Sequence, residues 1–105
     1  MEQQNKHRVI VSERATQMFV FHAAFLAQVS PEAAKQLTAE FEKTANSLEL
    51  MSQRCPWLTG EYIPRNAYRF IPFEKHYMII FQIVDDIVYA DYVVDCRQDY
   101  NWLIR

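Results

Sequence analysis

Residues 67–100 read AYRFIPFEKHYMIIFQIVDDIVYADYVVDCRQDY, and the way this stretch divides decides the fold. The runs 67–73, 77–84 and 87–95 are dense in Tyr, Phe, Ile and Val, and turn-forming residues separate them, which predicts a three-stranded antiparallel meander. Taking Asp85-Asp86 as the tip of the second hairpin sets Val84 opposite Ile87, Phe81 opposite Ala90, Met78 opposite Val93 and His76 opposite Asp95. Taking Glu74-Lys75 as the tip of the first sets Phe73 opposite His76, Ile71 opposite Met78 and Phe70 opposite Ile79.

Side chains alternate along a strand, so this register separates two faces. One carries Tyr68, Phe70, Tyr77, Ile79, Phe81, Ile83, Val88, Ala90, Tyr92 and Val94, has no charge, and is the expected core face. The other carries Arg69, Ile71, Phe73, His76, Met78, Ile80, Gln82, Tyr89, Asp91, Val93 and Asp95, a mixture suited to contact, and is the expected working face. A one-residue slip would drive Asp91 and Asp95 into the core, which favours this register over its neighbours.

Working outward, Ser12 stands before a pattern in which Ala15, Met18, Phe19, His22, Phe25, Leu26 and Val29 recur at spacings of three and four, predicting one helix to about Val29. Ser30-Pro31-Glu32 starts another: a hydroxyl to cap free amides, a proline at the first position and an acid near the positive end of the dipole. Its stripe is Ala34, Leu37, Phe41, Ala45, Leu48 and Met51, and so short a link forces a helical hairpin. His7–Ser12 is β-rich and predicts a first strand, without saying which strand it joins. Gln53–Asn66, with Pro56, Gly60 and Pro64, reads as an irregular connection over the core edge. The tail from Arg97 to Arg105 has room for a further turn of helix. Two amphipathic helices and a sheet with one bare apolar face complete each other as one α+β core, expected over residues 1–105 as a single domain.

The chain has 105 residues, half of them hydrophobic, with one glycine and four prolines, so a compact domain with short loops is expected. Its two cysteines, Cys55 and Cys96, form no CxxC, have no histidine neighbour and follow no signal peptide; buried thiols in a reducing cytoplasm are the natural reading. No apolar run reaches the roughly 18 residues of a membrane helix. The net charge of −2 weighs against affinity built on many phosphate contacts. No metal site or cofactor is expected.

The order of strand, helical hairpin and antiparallel meander, carried by VIVSERA at 9–15, SPEAAKQL at 30–37, YRFIPF and YMIIFQIVDDIVYADYVV within 68–94, and CRQDY at 96–100, resembles the RelE/ParE family of type II toxin-antitoxin toxins, the plasmid stabilisation proteins. That resemblance implies a growth inhibitor held in check by a cognate antitoxin covering the sheet face. Members resembling RelE cleave messenger RNA on the ribosome, and those resembling ParE poison DNA gyrase. Cleavage by a 2′-hydroxyl needs a proton acceptor, cations around the phosphate and an acid for the leaving oxygen. Carried over by position, the basic set of the RNase branch falls on Arg69 and Arg97, with Tyr100 as the loosely placed aromatic, while Ile71 and Met78 occupy positions where that set has cations. Asp91 and Asp95 add negative charge on the same face.

Several readings therefore stand side by side. Arg69, Arg97 and Tyr100 are candidate catalytic residues, with Lys75 and His76 as auxiliaries; the plain alternative is surface arginines paired with Asp91, Asp95 or Asp99. His76 opposite Asp95 is equally a cross-strand ion pair. His22 reads as a hydrogen-bonded core or edge histidine. Ile71, Phe73, Met78, Ile80 and Asp91 are the expected partner-binding face, since so many exposed apolar residues call for a cover: an antitoxin, the first strand, the tail or a second copy. A non-catalytic protein-binding module on the same scaffold is the reading from a different class.

Overall fold

The computed structural model describes residues 6–97. The elements are β1 (Arg8–Val11), α1 (Glu13–Val29), α2 (Pro31–Met51), a 3-10 turn at Ser52–Arg54, then β2 (Arg69–Phe73), β3 (Tyr77–Val84) and β4 (Ile87–Asp95). This is the expected α+β order, β-α-α-β-β-β. The tail beyond Arg97, including Tyr100, lies outside the described residues.

Both helices begin where the serines predict. The Ala15 N–H donates to Ser12 Oγ at 3.0 Å and the Ala33 N–H to Ser30 Oγ at 3.1 Å, each satisfying an amide that has no partner within its helix. Ser30 serves twice, because its own N–H also donates to the Leu26 carbonyl at 2.9 Å and closes α1. With Pro31 opening α2 at once, the two helices fold back on each other.

The sheet runs β1-β4-β3-β2. β1 lies parallel to β4, with Arg8 opposite Ile87 and Val11 opposite Ala90, while β2–β3 and β3–β4 are antiparallel. The most apolar strand, YMIIFQIV, is central and is covered on both faces, as near-continuous hydrophobic runs require. Against the helices lie Ile79, Phe81, Val88 and Ala90, packed with Ala15, Leu37 and Leu48, none of which retains measurable exposure. An aromatic chain continues this core: Phe19 stacks on Phe41 at 4.3 Å, Phe41 meets Phe73 at 5.6 Å and Phe73 meets Tyr77 at 5.7 Å. A second cluster of Met78, Ile80, Tyr92 and Val94, joined by Tyr68 and Phe70, is closed by Leu58 and Ile63 from the long connection before β2. That connection is pinned to the β2 edge by Leu58 N–H to the Tyr68 carbonyl at 2.7 Å and Phe70 N–H to the Pro56 carbonyl at 3.2 Å.

Two local features move side chains to faces other than those expected. The first hairpin turns through three residues, so Phe73 sits opposite Tyr77 and Ile71 opposite Ile79. Glu74 and Lys75 both take positive φ (46° and 67°), and the His76 N–H donates to the Glu74 carbonyl at 2.7 Å, a tight γ-type closure. The extra residue flips β2: Ile71 and Phe73 turn to the helices, Tyr68 and Phe70 to the connection. The second hairpin keeps its expected pairs from Val84–Ile87 to Phe81–Ala90, then a β-bulge leaves Asp91 without an opposite residue, so that Ile80 faces Tyr92, Met78 faces Val94 and Tyr77 faces Asp95. Beyond the bulge Val93 joins the helix core, while Tyr92 and Val94 change sides.

The expected exposure of Ile71, Phe73, Met78 and Ile80 is not found: the first two change face, and the last two keep their side of the sheet but are covered by the connection. Phe73 is buried among the helices with Ile71 packed beside it, and Met78 and Ile80 are buried beneath Leu58 and Ile63. The pair of His76 with Asp95 is likewise replaced, by Tyr77 with Asp95. Cys55 is buried as expected, but Cys96 is exposed, because β4 ends at Asp95 and the chain leaves the sheet there.

Candidate partner-binding cleft

The candidate cations separate. Arg69 turns toward the connection: Nη1 donates to the Cys55 carbonyl at 2.7 Å and lies 3.4 Å from that of Gln53, and the guanidinium stacks 3.9 Å over the Trp57 ring. Three contacts to one segment make it a strap for that segment. Arg97 stands beyond Asp95, opposite Tyr77, whereas Arg69 is opposite Phe81. The two positions are four residue steps apart along β3, roughly 13 Å at about 3.3 Å per residue. The turn bearing Lys75 and His76 is at the Arg97 end, where the Cys96 N–H donates to the His76 carbonyl at 2.6 Å.

At that end α1 meets the start of β3 and the end of β4 around an open cleft of about 440 Å³, lined by Phe21, His22, Phe25, Leu26, Tyr77, Asp95 and Arg97. Its polar side is a two-point ion pair, with Arg97 Nε to Asp95 Oδ1 at 2.9 Å and Nη2 to Oδ2 at 2.7 Å, while the Arg97 backbone N–H adds a third bond to Oδ1 at 2.9 Å. The Arg97 hydrogen bonds hold the Asp95 carboxyl below the usual carboxylate range, against the opposing effect of burial. His22 forms the wall, edge-on to Tyr77 at 5.4 Å and to Phe21 at 5.9 Å. Burial lowers its pKa despite a hydrogen bond with the Val93 backbone and the nearby Asp95 carboxylate, so the neutral imidazole is favoured. Although Cys96 is exposed, partial desolvation at the sheet end and then the Asp95 carboxylate push its thiol up.

This chemistry suits contact better than catalysis. The Arg97 charge is already engaged by a carboxylate, the histidine favours its neutral form, and the thiol resists forming the reactive thiolate. Among the described residues no group of three His, Cys, Asp or Glu side chains could hold a metal ion. Asp91, expected on a binding face, is half-buried at the bulge: its carboxylate accepts from Gln82 Nε2 at 3.1 Å, and its carbonyl accepts from Arg14 Nε at 3.3 Å. Among the described residues the most exposed large apolar side chains are on α1, Phe21, Phe25 and Val29, at 70%, 65% and 76% of full exposure, with Val20, Leu50, Met51, Trp57, Tyr62 and Val84 exposed to a lesser degree. The signal for them was the breadth of the α1 stripe, wider than one sheet can cover, together with Phe21 lying off it.

A helical hairpin on a mixed four-stranded sheet in this order is the framework of a family of small toxins. Residues 9–100 match the ParE toxin of the type II toxin-antitoxin system parDE, and the chain belongs to that family. In three dimensions it is similar to a solved chain described as "Chromosomal ParDE TA system from P. aeruginosa", with a TM-score of 0.70 and 11% identity over 88% of this chain and 98% of that one. At that identity the likeness is one of fold. None of the curated proteins matches the chain in sequence. No helix among the described residues is long and apolar enough to cross a membrane.

Proposed function

We propose that this protein is the toxin of a type II toxin-antitoxin pair that arrests growth through protein contact, with DNA gyrase as its target, and that a cognate antitoxin neutralises it. The observation that carries the choice of target is the separation of Arg69 from Arg97. Stabilising the charge that develops on a cleaved phosphate takes several cations around one point, and removing one such donor costs on the order of 10²–10³-fold in rate. Here one candidate straps a loop and the other is bound to Asp95. Weak or no messenger cleavage follows, and the family match to ParE supports gyrase.

The test is a pair of assays on the purified protein. In DNA supercoiling by gyrase, inhibition or trapped cleaved DNA is expected at stoichiometric toxin. In primer extension on a translated message, no codon-phased cuts are expected. Strong cuts that vanish in Arg97→Ala would reverse the assignment to the ribosome. Neither activity, with harmless high-level expression in cells, would favour the non-catalytic binding module.

A further inference from the structure

The connection between α2 and β2 presents opposite characters on its two sides. Leu58 and Ile63 turn inward and are buried, while their immediate neighbours Trp57 and Tyr62 turn outward and stay 41% and 52% exposed. Of each adjacent pair, the aliphatic residue closes the sheet and the aromatic one is displayed. Tryptophan is on average highly buried, so its place outside needs a cause, and Arg69 supplies one. The two residues form an antiparallel bridge, and the guanidinium lies 3.9 Å over the ring while Nη1 is tied to the Cys55 carbonyl at 2.7 Å. The indole is therefore held at the surface before any partner arrives, and loses little freedom on contact.

Charge on the same segment has a definite sign. Residues 52–69 hold Arg54, Arg65 and Arg69 against a single acid, Glu61, in a chain whose net charge is −2. Arg54 and Arg65 are exposed, and among the described residues neither side chain is ion-paired or hydrogen-bonded. Tryptophan, tyrosine and arginine are the residues that dominate binding energy between proteins. Two free cations are few for a nucleic acid, whose binders commonly neutralise roughly 6–10 phosphates. The place is also distinct from the cleft: Trp57 pairs with Arg69 at the start of β2, whereas the cleft lies beyond the end of that strand, where Phe73 faces Tyr77.

We infer that the outer side of this connection, with Trp57 as anchor, Tyr62 from the same loop and Arg54 and Arg65 around them, is the surface by which the protein holds its target. The occupant is an acidic protein surface with an apolar recess: the recess takes the indole, and carboxylates meet the two arginines. The inference rests on the toxin reading and gives it the target contact it leaves unassigned. Steering by the arginines is salt-dependent, since both are at the surface.

The test compares full-length variants in two assays, growth arrest on induced expression and inhibition of supercoiling by purified gyrase. Trp57→Ala should raise the half-inhibitory concentration about tenfold or more, as loss of a central aromatic anchor does, and Trp57→Phe should recover most of the loss. Arg54→Glu combined with Arg65→Glu should raise it about fivefold, the size expected of exposed charge pairs. Because both arginines are free at the surface, that variant should melt like the wild type by circular dichroism, which keeps the test decisive if Trp57→Ala loosens the loop. Full inhibition and full growth arrest by both variants, with an active wild type, overturns the inference alone. So does binding of a labelled single-stranded oligonucleotide at physiological salt that the double charge reversal abolishes, which assigns the surface to nucleic acid. Dimerisation in sedimentation that Trp57→Ala abolishes overturns it too, assigning the surface to a second copy. Growth arrest that needs Trp57 while gyrase is untouched keeps the surface and removes gyrase as the target. A wild type that neither arrests growth nor inhibits gyrase removes the toxin reading and this inference with it.

Discussion

The two faces of the sheet are closed by different means. On one, two capped helices of 17 and 21 residues bring Leu37 and Leu48 onto Ile79, Phe81 and Val88. On the other, an irregular connection brings only Leu58 and Ile63, held at the β2 edge by a few backbone bonds and by Arg69. Phe81 and its neighbour Ile80 are equally inaccessible, yet one is under regular structure and the other under a strap. Equal burial thus does not mean equal cooperativity: the helices are tied to the global fold, whereas the strap can lift while the sheet persists.

Alanine at the two neighbours probes this most strongly. Phe81→Ala should cost about 3–5 kcal/mol and Ile80→Ala about 2–5 kcal/mol, but with different signatures in native-state hydrogen exchange. The first should lower protection across α1, α2 and the sheet together; the second should first release the Leu58 and Phe70 amides. Uniform loss in both would erase the distinction between the faces.

Acid should act on the helix side through the cleft. His22 has a lowered folded pKa, so its contribution is complete above the ordinary value of 6.5 and declines as pH falls through that value toward the folded one. Asp95 is also lowered, so the stability it gives is present above 3.8 and is lost as pH falls further, through its folded value. Denaturant midpoints measured from pH 7 downward should fall in two stages, and His22→Phe should remove the upper one. A single stage unaffected by that substitution would show that His22 titrates normally.

Ser52 joins the two halves, directly after α2 and ahead of the strap. It is fully buried, and its Oγ has no hydrogen-bond partner among the described residues. Ser52→Ala should therefore stabilise the protein by about 1 kcal/mol, measured by urea unfolding. A loss of stability would mean that the hydroxyl has found an acceptor. The smallest effect belongs to Asp85, which takes a φ of 57° as the first residue of a two-residue tip. Asp85→Gly should be neutral or stabilise by a few tenths of a kcal/mol, because glycine relieves the left-handed conformation but adds unfolded-state freedom.

What the sequence made legible follows from which signals are local. Ser12, Ser30 and Pro31 mark helix ends by their own hydrogen-bonding chemistry, and the strand limits at 77–84 and 87–95 follow from runs of β-forming residues. Faces are not local in this sense, because parity propagates. One extra residue in the Glu74–Lys75–His76 turn, where no glycine advertises the positive φ angles, exchanged every side chain of β2. Keeping Asp91 and Asp95 out of the core was a sound requirement, met in another way: the bulge lets Asp91 drop out of the alternation, and Asp95 arrives on the helix side only at the sheet's end, where Arg97 meets it. Of the partner-binding residues first favoured, Ile71 and Phe73 lay on exchanged positions, Asp91 sits at the bulge, and Met78 and Ile80 kept their side of the sheet but lie under Leu58 and Ile63; the exposed aromatics of α1 emerged once both sheet faces were seen to be covered.

The pairing of β1 with β4 has a consequence for how the chain is made. The first strand waits for the last: Arg8 cannot find Ile87, nor Val11 find Ala90, until nearly all the described chain has been synthesised. The helical hairpin between them can form early from local contacts, but its apolar side then lacks the sheet that buries it. High contact order of this kind slows closure, and the nascent chain spends that interval with Leu37 and Leu48 uncovered. A freshly translated copy is therefore open to capture by chaperone or partner before its sheet is complete.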